Sequence, residues 1–192
     1  MQMDVQHAKA SLRASMRERL KGIPPAARAA ASHSLGAQLK RQSVWTSASA
    51  ILFFAALPDE PDTWQLLTEA LLAGKTVALP RFSPRTHGYV VGVVRNLEAD
   101  VQSGQFGIRE PGVSCPEIPL NRLDLVLVPG VAFDARGGRL GRGKGFYDRL
   151  LSAVNGTKCG VAFDEQIVEA VPVVPLDVRV NCILTPTRWI ET

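Results

Sequence analysis

The run Leu123–Val128, LDLVLV, closed by Pro129-Gly130, limits the fold more than any other part of this chain. From Leu125 onward its apolar residues do not alternate with polar ones, so a strand made from it has no face suited to water. Such a strand belongs in the middle of a parallel sheet with both faces covered. Parallel neighbours cannot be joined by a tight hairpin and need crossover segments, usually helices.

The rest of the sequence supplies them. Ala8, Leu12, Met16 and Leu20 recur four apart over Ala8–Lys21, an apolar stripe of helical period. Gly22 ends that helix, and Pro24-Pro25 suits the start of a second one running to about Arg41. Ile51–Ala55 reads as a buried strand, stopped by the turn-rich stretch Leu57–Asp62. Asp62 and Gln65 form a capping-box pattern for a helix over Thr63–Ala73, and Thr76–Leu79 and Tyr89–Val94 read as further strands. Glu98–Asn121, rich in Gly and Pro, reads as an irregular crossing of the surface. Beyond the central run come a helix over Phe146–Val154, a strand at Gly160–Phe163 and a hairpin of Cys182–Leu184 and Arg188–Ile190. Strands alternating with helices predict an α/β fold with a mainly parallel sheet, as a single domain over residues 1–192.

Composition narrows the chemistry. With 192 residues, 46% hydrophobic and 21% charged, the chain is ordinary globular material. The longest apolar run, Ala50–Leu57, falls far short of the roughly 18 residues a membrane span needs, and no secretory leader is evident. A soluble, cytoplasmic protein with no membrane partner is expected. Cys115, Cys159 and Cys182 are scattered, and His7, His33 and His87 are isolated, so any metal would be held by oxygen. The net charge is +4, and Arg136, Arg139, Arg142, Lys144 and Arg149 fall in one short stretch. Such a cluster suits an anionic ligand: phosphate, carboxylate or nucleic acid.

That stretch, Val128–Leu151, holds six glycines, five basic residues and two aspartates just beyond the buried strand. Glycine permits positive φ and lets backbone N–H groups approach an anion, and the following helix adds the positive end of its dipole. These are the parts of a phosphate cradle. Gly138, Gly143 and Lys144 have the spacing of a P-loop, but Gly145 stands where Ser or Thr would bind magnesium. Phe146 breaks the dinucleotide-binding glycine pattern in the same way.

RLGRGKGFYDRLL after VPGVAFD resembles the signature of the 5-formyltetrahydrofolate cyclo-ligases, also called 5,10-methenyltetrahydrofolate synthetases. The likeness extends to the Lys9…Arg13 helix, Leu57-Pro58-Asp59-Glu60-Pro61, Leu79-Pro80-Arg81, Phe106-Gly107-Ile108, Glu110-Pro111 and Glu165-Gln166…Val171-Pro172…Asp177. It implies a three-layer α/β/α sandwich and ATP- and magnesium-dependent closure of 5-formyltetrahydrofolate to 5,10-methenyltetrahydrofolate, with release of ADP and phosphate. The partners implied are small molecules, ATP and a reduced folate, and the protein is expected to act as a monomer without nucleic acid.

Residue by residue, the resemblance assigns ATP to Lys9, Arg13 and the run Arg139, Leu140, Gly141, Arg142, Gly143, Lys144, Gly145, Phe146 and Tyr147. It assigns the folate to Ala55, Glu60 and Arg142, Gly143, Lys144, Gly145 and Phe146. Arg142 and Lys144 are the candidates for stabilising charge in the transition state, as phosphoryl transfer requires. Asp148 and Asp177 match the family's Mg2+ carboxylates. Phe146, Leu176 and Asn181 depart from the family pattern, which more often has Tyr at the first position and His and Asp near the last two. Arg81 is a further candidate anion contact, and Trp45, Trp64 and Trp189 are expected to pack.

Three other functions remain open on sequence: a kinase or ATPase acting on another acceptor, a basic nucleic-acid-binding domain, and an isomerase or CoA-transferase on a related fold. The second lacks a recognition helix or an aromatic-studded strand. The third leaves the Lys9/Arg13 and Arg142/Lys144 constellation without a reason.

Overall fold

The computed structural model describes residues 2–104 and 107–192. Phe106, part of the family-like Phe106-Gly107-Ile108, lies outside the described residues. The chain runs α1 (Gln2–Lys21), α2 (Pro25–Lys40), α3 (Ser43–Ser47), β1 (Ala50–Leu52), α4 (Trp64–Leu72), β2 (Thr76–Ser83), β3 (Gly88–Val94), α5 (Leu97–Asp100), β4 (Val101–Ser103) and β5 (Arg109–Pro111). It continues with β6 (Leu125–Pro129), β7 (Ala132–Asp134), β8 (Arg139–Leu140), α6 (Phe146–Leu151), β9 (Thr157–Val161), β10 (Ile167–Val168), β11 (Cys182–Leu184) and β12 (Trp189–Glu191).

A 7-stranded sheet of order β12-β11-β9-β6-β1-β2-β3 forms the centre. The contacts from β11 through β2 are parallel, and the two edges, β12 and β3, are antiparallel. The non-alternating strands have the double-sided burial that their sequence requires. Leu125 and Leu127 of β6 join Ile51, Val77 and Leu184 in a core under α2, α3 and α4. Val126 and Val128 point the other way, with Leu52, Ala78 and Ile183, into a second core capped by Leu150 and Leu151 of α6. Helices on both faces make the three-layer α/β/α arrangement.

A small sheet of order β10-β7-β8 sits beside the main one. Helix α1 covers it: Met16, fully buried, packs with Ala132, Leu140 and Val171. The apolar stripe of α1 therefore docks on the start of the Gly-rich segment. It turns Lys9 and Arg13, on the neighbouring face, toward that segment's loop.

Several expectations are corrected. The segment Glu98–Asn121 is not irregular throughout, because Val101–Ser103 and Arg109–Pro111 pair as a hairpin closed by Gly104 N–H on Ile108 O (2.8 Å). Part of the Gly-rich stretch is likewise paired: β7 and β8 flank a turn held by buried Asp134, which accepts from the backbone N–H groups of Arg136 and Gly138. The capping box does not form. Asp62 Oδ1 accepts from Trp64 N (2.9 Å), while Gln65 reaches forward to Glu69 instead of back. Strand β1 ends at Leu52, although Phe53 N still donates to Ala78 O, and β9 begins earlier than its apolar residues suggest, at Thr157. Helix α6 spans only 6 residues, so side-chain charge outweighs any helix dipole at the loop.

Candidate functional site

Strand β1 feeds α4 and then β2 on one side, whereas β6 feeds α6 and then β9 on the other. Strand order thus reverses between β1 and β6, and a crevice opens beyond their carboxyl ends, the usual ligand position in open α/β sheets. A cavity of about 450 Å³ occupies that place, floored by Phe54 and Ala55 after β1 and by Pro129 and Gly130 at the end of β6.

All the residues singled out for ATP, folate and metal line this one cavity. Lys9 and Arg13 enter from α1. Lys9 Nζ lies 2.5 Å from Asp177 Oδ2, and Arg13 Nε donates to Gly141 O at 2.9 Å. The loop's backbone needs glycine at two points that shape the site. Gly143 has φ +104 and Gly145 has φ +65, both in the region L side chains rarely adopt. Arg139 is buried at the end of the small sheet, with one guanidinium nitrogen on Asp148 Oδ1 (2.9 Å), another on Pro129 O (3.3 Å), and Nε without a hydrogen-bond partner among the described residues. Its guanidinium also faces the Tyr147 ring at 5.8 Å.

The other end of the cavity is built differently. Arg142 bridges Asp59 (2.6 Å) and Glu60 (3.1 Å), and Glu60 Oε2 accepts from Leu57 N. Burial pushes the Glu60 carboxyl above its ordinary value, only partly offset by Leu57 N–H and Arg142. Burial alone would lower the Arg142 pKa, but the two carboxylates hold it raised. Beside them stands an aromatic cluster: Phe146 meets Phe82 at 5.8 Å and Tyr89 at 5.2 Å, edge to face. Tyr89 reaches Tyr147 at 6.2 Å. Burial, with Glu60 among the neighbouring charges, pushes both tyrosine hydroxyls up, so they remain protonated donors.

Asp148 and Asp177 each take their protein contacts on one oxygen. Asp148 Oδ1 accepts from Arg139 and from Val178 N, and Asp177 Oδ2 from Lys9 and from Val174 N. Asp148 Oδ2 and Asp177 Oδ1 accept no hydrogen bond among the described residues, where no cluster of three or more His, Cys, Asp or Glu gathers either. Two cavity-facing carboxylates with open hard-oxygen donors fit magnesium, which prefers one or two carboxylates completed by phosphate and water.

Arg81 is corrected. It does not line the cavity but ties β2 to the following segment through Gly112 O (2.6 Å) and Glu117 (2.9 Å). Asn181 is also structural: its side chain accepts from Lys158 N at the edge of β9. Leu176 is exposed. Trp45 packs on Phe53, as expected. Sequence reasoning missed Tyr89 as a cavity residue, because only the antiparallel pairing Phe82↔Tyr89 carries it there. Asp59 was missed as the second carboxylate on Arg142, although its place beside Glu60 was a usable signal.

The family model for the 5-formyltetrahydrofolate cyclo-ligase family matches residues 5–186. The 5-formyltetrahydrofolate cyclo-ligase of Escherichia coli K12 is 34% identical over 145 residues, covering 73% of this chain and 80% of its own. The mouse enzyme of the same name is 30% identical over 191 residues, 94% of each chain. Among solved structures, the 5,10-methenyltetrahydrofolate synthetase of Aquifex aeolicus superposes with a TM-score of 0.86 at 31% identity, over 95% of this chain and 92% of that one. A synthetase of the same name from Mycoplasma pneumoniae has a TM-score of 0.74 at 18% identity and shares the fold.

Proposed function

The chain belongs to the 5-formyltetrahydrofolate cyclo-ligase family, and from that premise we propose that it uses ATP and magnesium to convert 5-formyltetrahydrofolate to 5,10-methenyltetrahydrofolate. One observation carries the reading: a single cavity has a cation-rich end, with Lys9, Arg13 and Arg139, and an end with Glu60 and an aromatic wall, joined by Arg142.

The chemistry needs both ends. The formyl oxygen leaves poorly, so ATP first transfers its γ-phosphoryl group to that oxygen, releasing ADP. N10 then attacks the formyl carbon and gives up its proton. The C–O bond breaks, its electron pair departs with phosphate, and the amidinium of the methenyl product remains. Phosphoryl transfer depends mainly on positioning and on neutralising charge over the transferred group. Lys9, Arg13, Arg139 and the loop from Leu140 to Tyr147 hold the phosphates, while Arg142 and Lys144 stabilise the group in flight. Asp148 and Asp177 would hold magnesium, which when bound neutralises the phosphate oxygens.

On the folate side, Glu60 accepts hydrogen bonds from the amino-pyrimidinone edge of the pterin. Ala55 leaves room at the strand exit, and Phe146 offers a ring face to the flat pterin. Where a tyrosine is commoner at that position, the neighbouring Tyr89 hydroxyl supplies a donor instead. Arg142 contacts Glu60 directly, so the folate-binding carboxylate and a phosphate-stabilising cation hold each other in place. The chain acts as a single catalytic domain, a cytoplasmic monomer serving small molecules.

The test follows the formyl oxygen. With substrate labelled with oxygen-18 in the formyl group, the reading expects one ADP per methenyl product and the label in the released phosphate. Unlabelled phosphate, or methenyl formation without ADP, would overturn it.

A further inference from the structure

Arg109 opens β5 on the rim of the cavity, and its exposed guanidinium sits 3.6 Å from the centre of the Trp64 ring. Trp64 begins α4, just beyond the Glu60 turn. The next residue, Glu110, accepts from the backbone N–H of Phe82, the ring neighbour of Phe146. Both contacts place Arg109 at the aromatic, Glu60 end of the cavity, away from the Lys9–Asp177 pair.

The charges on that side are unevenly matched. Arg142 is already met by Asp59 and Glu60. For Arg109, among the described residues, there is no carboxylate within salt-bridge distance, and the indole face is what seats it. A guanidinium over a ring face keeps its N–H edge outward, a fork that matches a carboxylate with two parallel hydrogen bonds. Depth separates the two groups as well: the Glu60 side chain is 7% exposed, whereas Arg109 lies at the surface.

We propose that Arg109, seated on Trp64, is the subsite for the glutamate carboxylates of the folate tail. The inference rests on the folate reading above, in which the pterin lies deep against Glu60 and the p-aminobenzoyl-glutamate leaves by the cavity mouth. Arg109 selects glutamylated over tail-less substrates and takes no part in phosphoryl transfer. Its contact is solvent-exposed, so it weakens as salt rises.

The experiment compares three substrates: 5-formyltetrahydrofolate with one glutamate, the same compound with three, and 5-formyltetrahydropteroate, which has none. Arg109→Gln should raise KM for both glutamylated compounds about three- to tenfold, as expected for a partly exposed charge-assisted contact, with kcat unchanged. KM for the tail-less compound and for ATP should stay as in the wild type. Arg109→Lys, which keeps the charge but loses the fork, should fall between. An equal rise for all three substrates, or no rise for any, would overturn the subsite. Should the wild type turn over none of them, the cyclo-ligase reading itself fails. Calorimetric titration of the same compounds then decides the contact: tail-dependent affinity lost in Arg109→Gln supports it, and equal affinities overturn it.

Discussion

Lys9 Nζ lies 2.5 Å from Asp177 Oδ2, joining two residues 168 positions apart in the lining of one cavity. The pair is mostly buried, at 7% and 17% side-chain exposure, and it fastens α1 to the segment leading into β11. Both partners face where nucleotide phosphates are proposed to bind, so the pair links folding of the α1 strap to formation of the site.

Lys9→Met should therefore do two things. It strands a largely buried carboxylate, costing about 3 kcal/mol of stability, visible as a lower melting temperature. It should also raise KM for ATP at least about tenfold while leaving KM for the folate nearly unchanged, a loss of ground-state binding. An unchanged ATP KM would make Lys9 purely structural.

Lys144→Ala should lower kcat by about 10²–10³-fold, as loss of one preorganised charge-stabilising donor does. Lys144 is exposed, so the melting temperature should hardly move. Rates within a few-fold of wild type would remove Lys144 from catalysis.

Glu60 carries a pH signature. Its folded pKa is raised by burial, so the stability it contributes is present below the ordinary glutamate value and is lost as pH rises through its own higher one. Compared with wild type, Glu60→Gln should gain relative stability as pH rises through that window. It should also raise KM for the folate more than KM for ATP. Equal effects on both substrates would mean that Glu60 does not touch the folate.

Asp134 has the opposite sign. Burial works to raise its pKa, but backbone N–H groups of Val171, Arg136 and Gly138 outweigh that and hold it low. Its contribution is present above the ordinary aspartate value and is lost as pH falls through its folded one. Asp134→Asn should cost about 2 kcal/mol at neutral pH, since hydrogen bonds to a charged group are at stake, and should shrink the gap from wild type in acid. A gap independent of pH would contradict the assignment.

The sheet was legible because LDLVLV cannot alternate, and its residues do divide between the two cores. The stripe Leu12, Met16, Leu20 located α1 for the same reason: burial of an apolar face is a local property of sequence. The small pairings were not legible. Strands β4 and β5 and β7 and β8 are two or three residues long, and the turn joining the second pair depends on a buried aspartate rather than on apolar periodicity. The loop carrying Arg142 and Lys144 announced its charge, but not that Arg142 would reach back to Asp59 and Glu60. Nor could spacing place Arg109 on Trp64, because that contact needs β5 folded beside β2.

The cyclisation itself is read out by absorbance. Purified protein with 5-formyltetrahydrofolate, ATP and magnesium should develop the methenyl chromophore, and omission of either ATP or magnesium should abolish it. Chromophore growth without ATP, or none with all components present, would rule out ATP-dependent cyclisation by this protein.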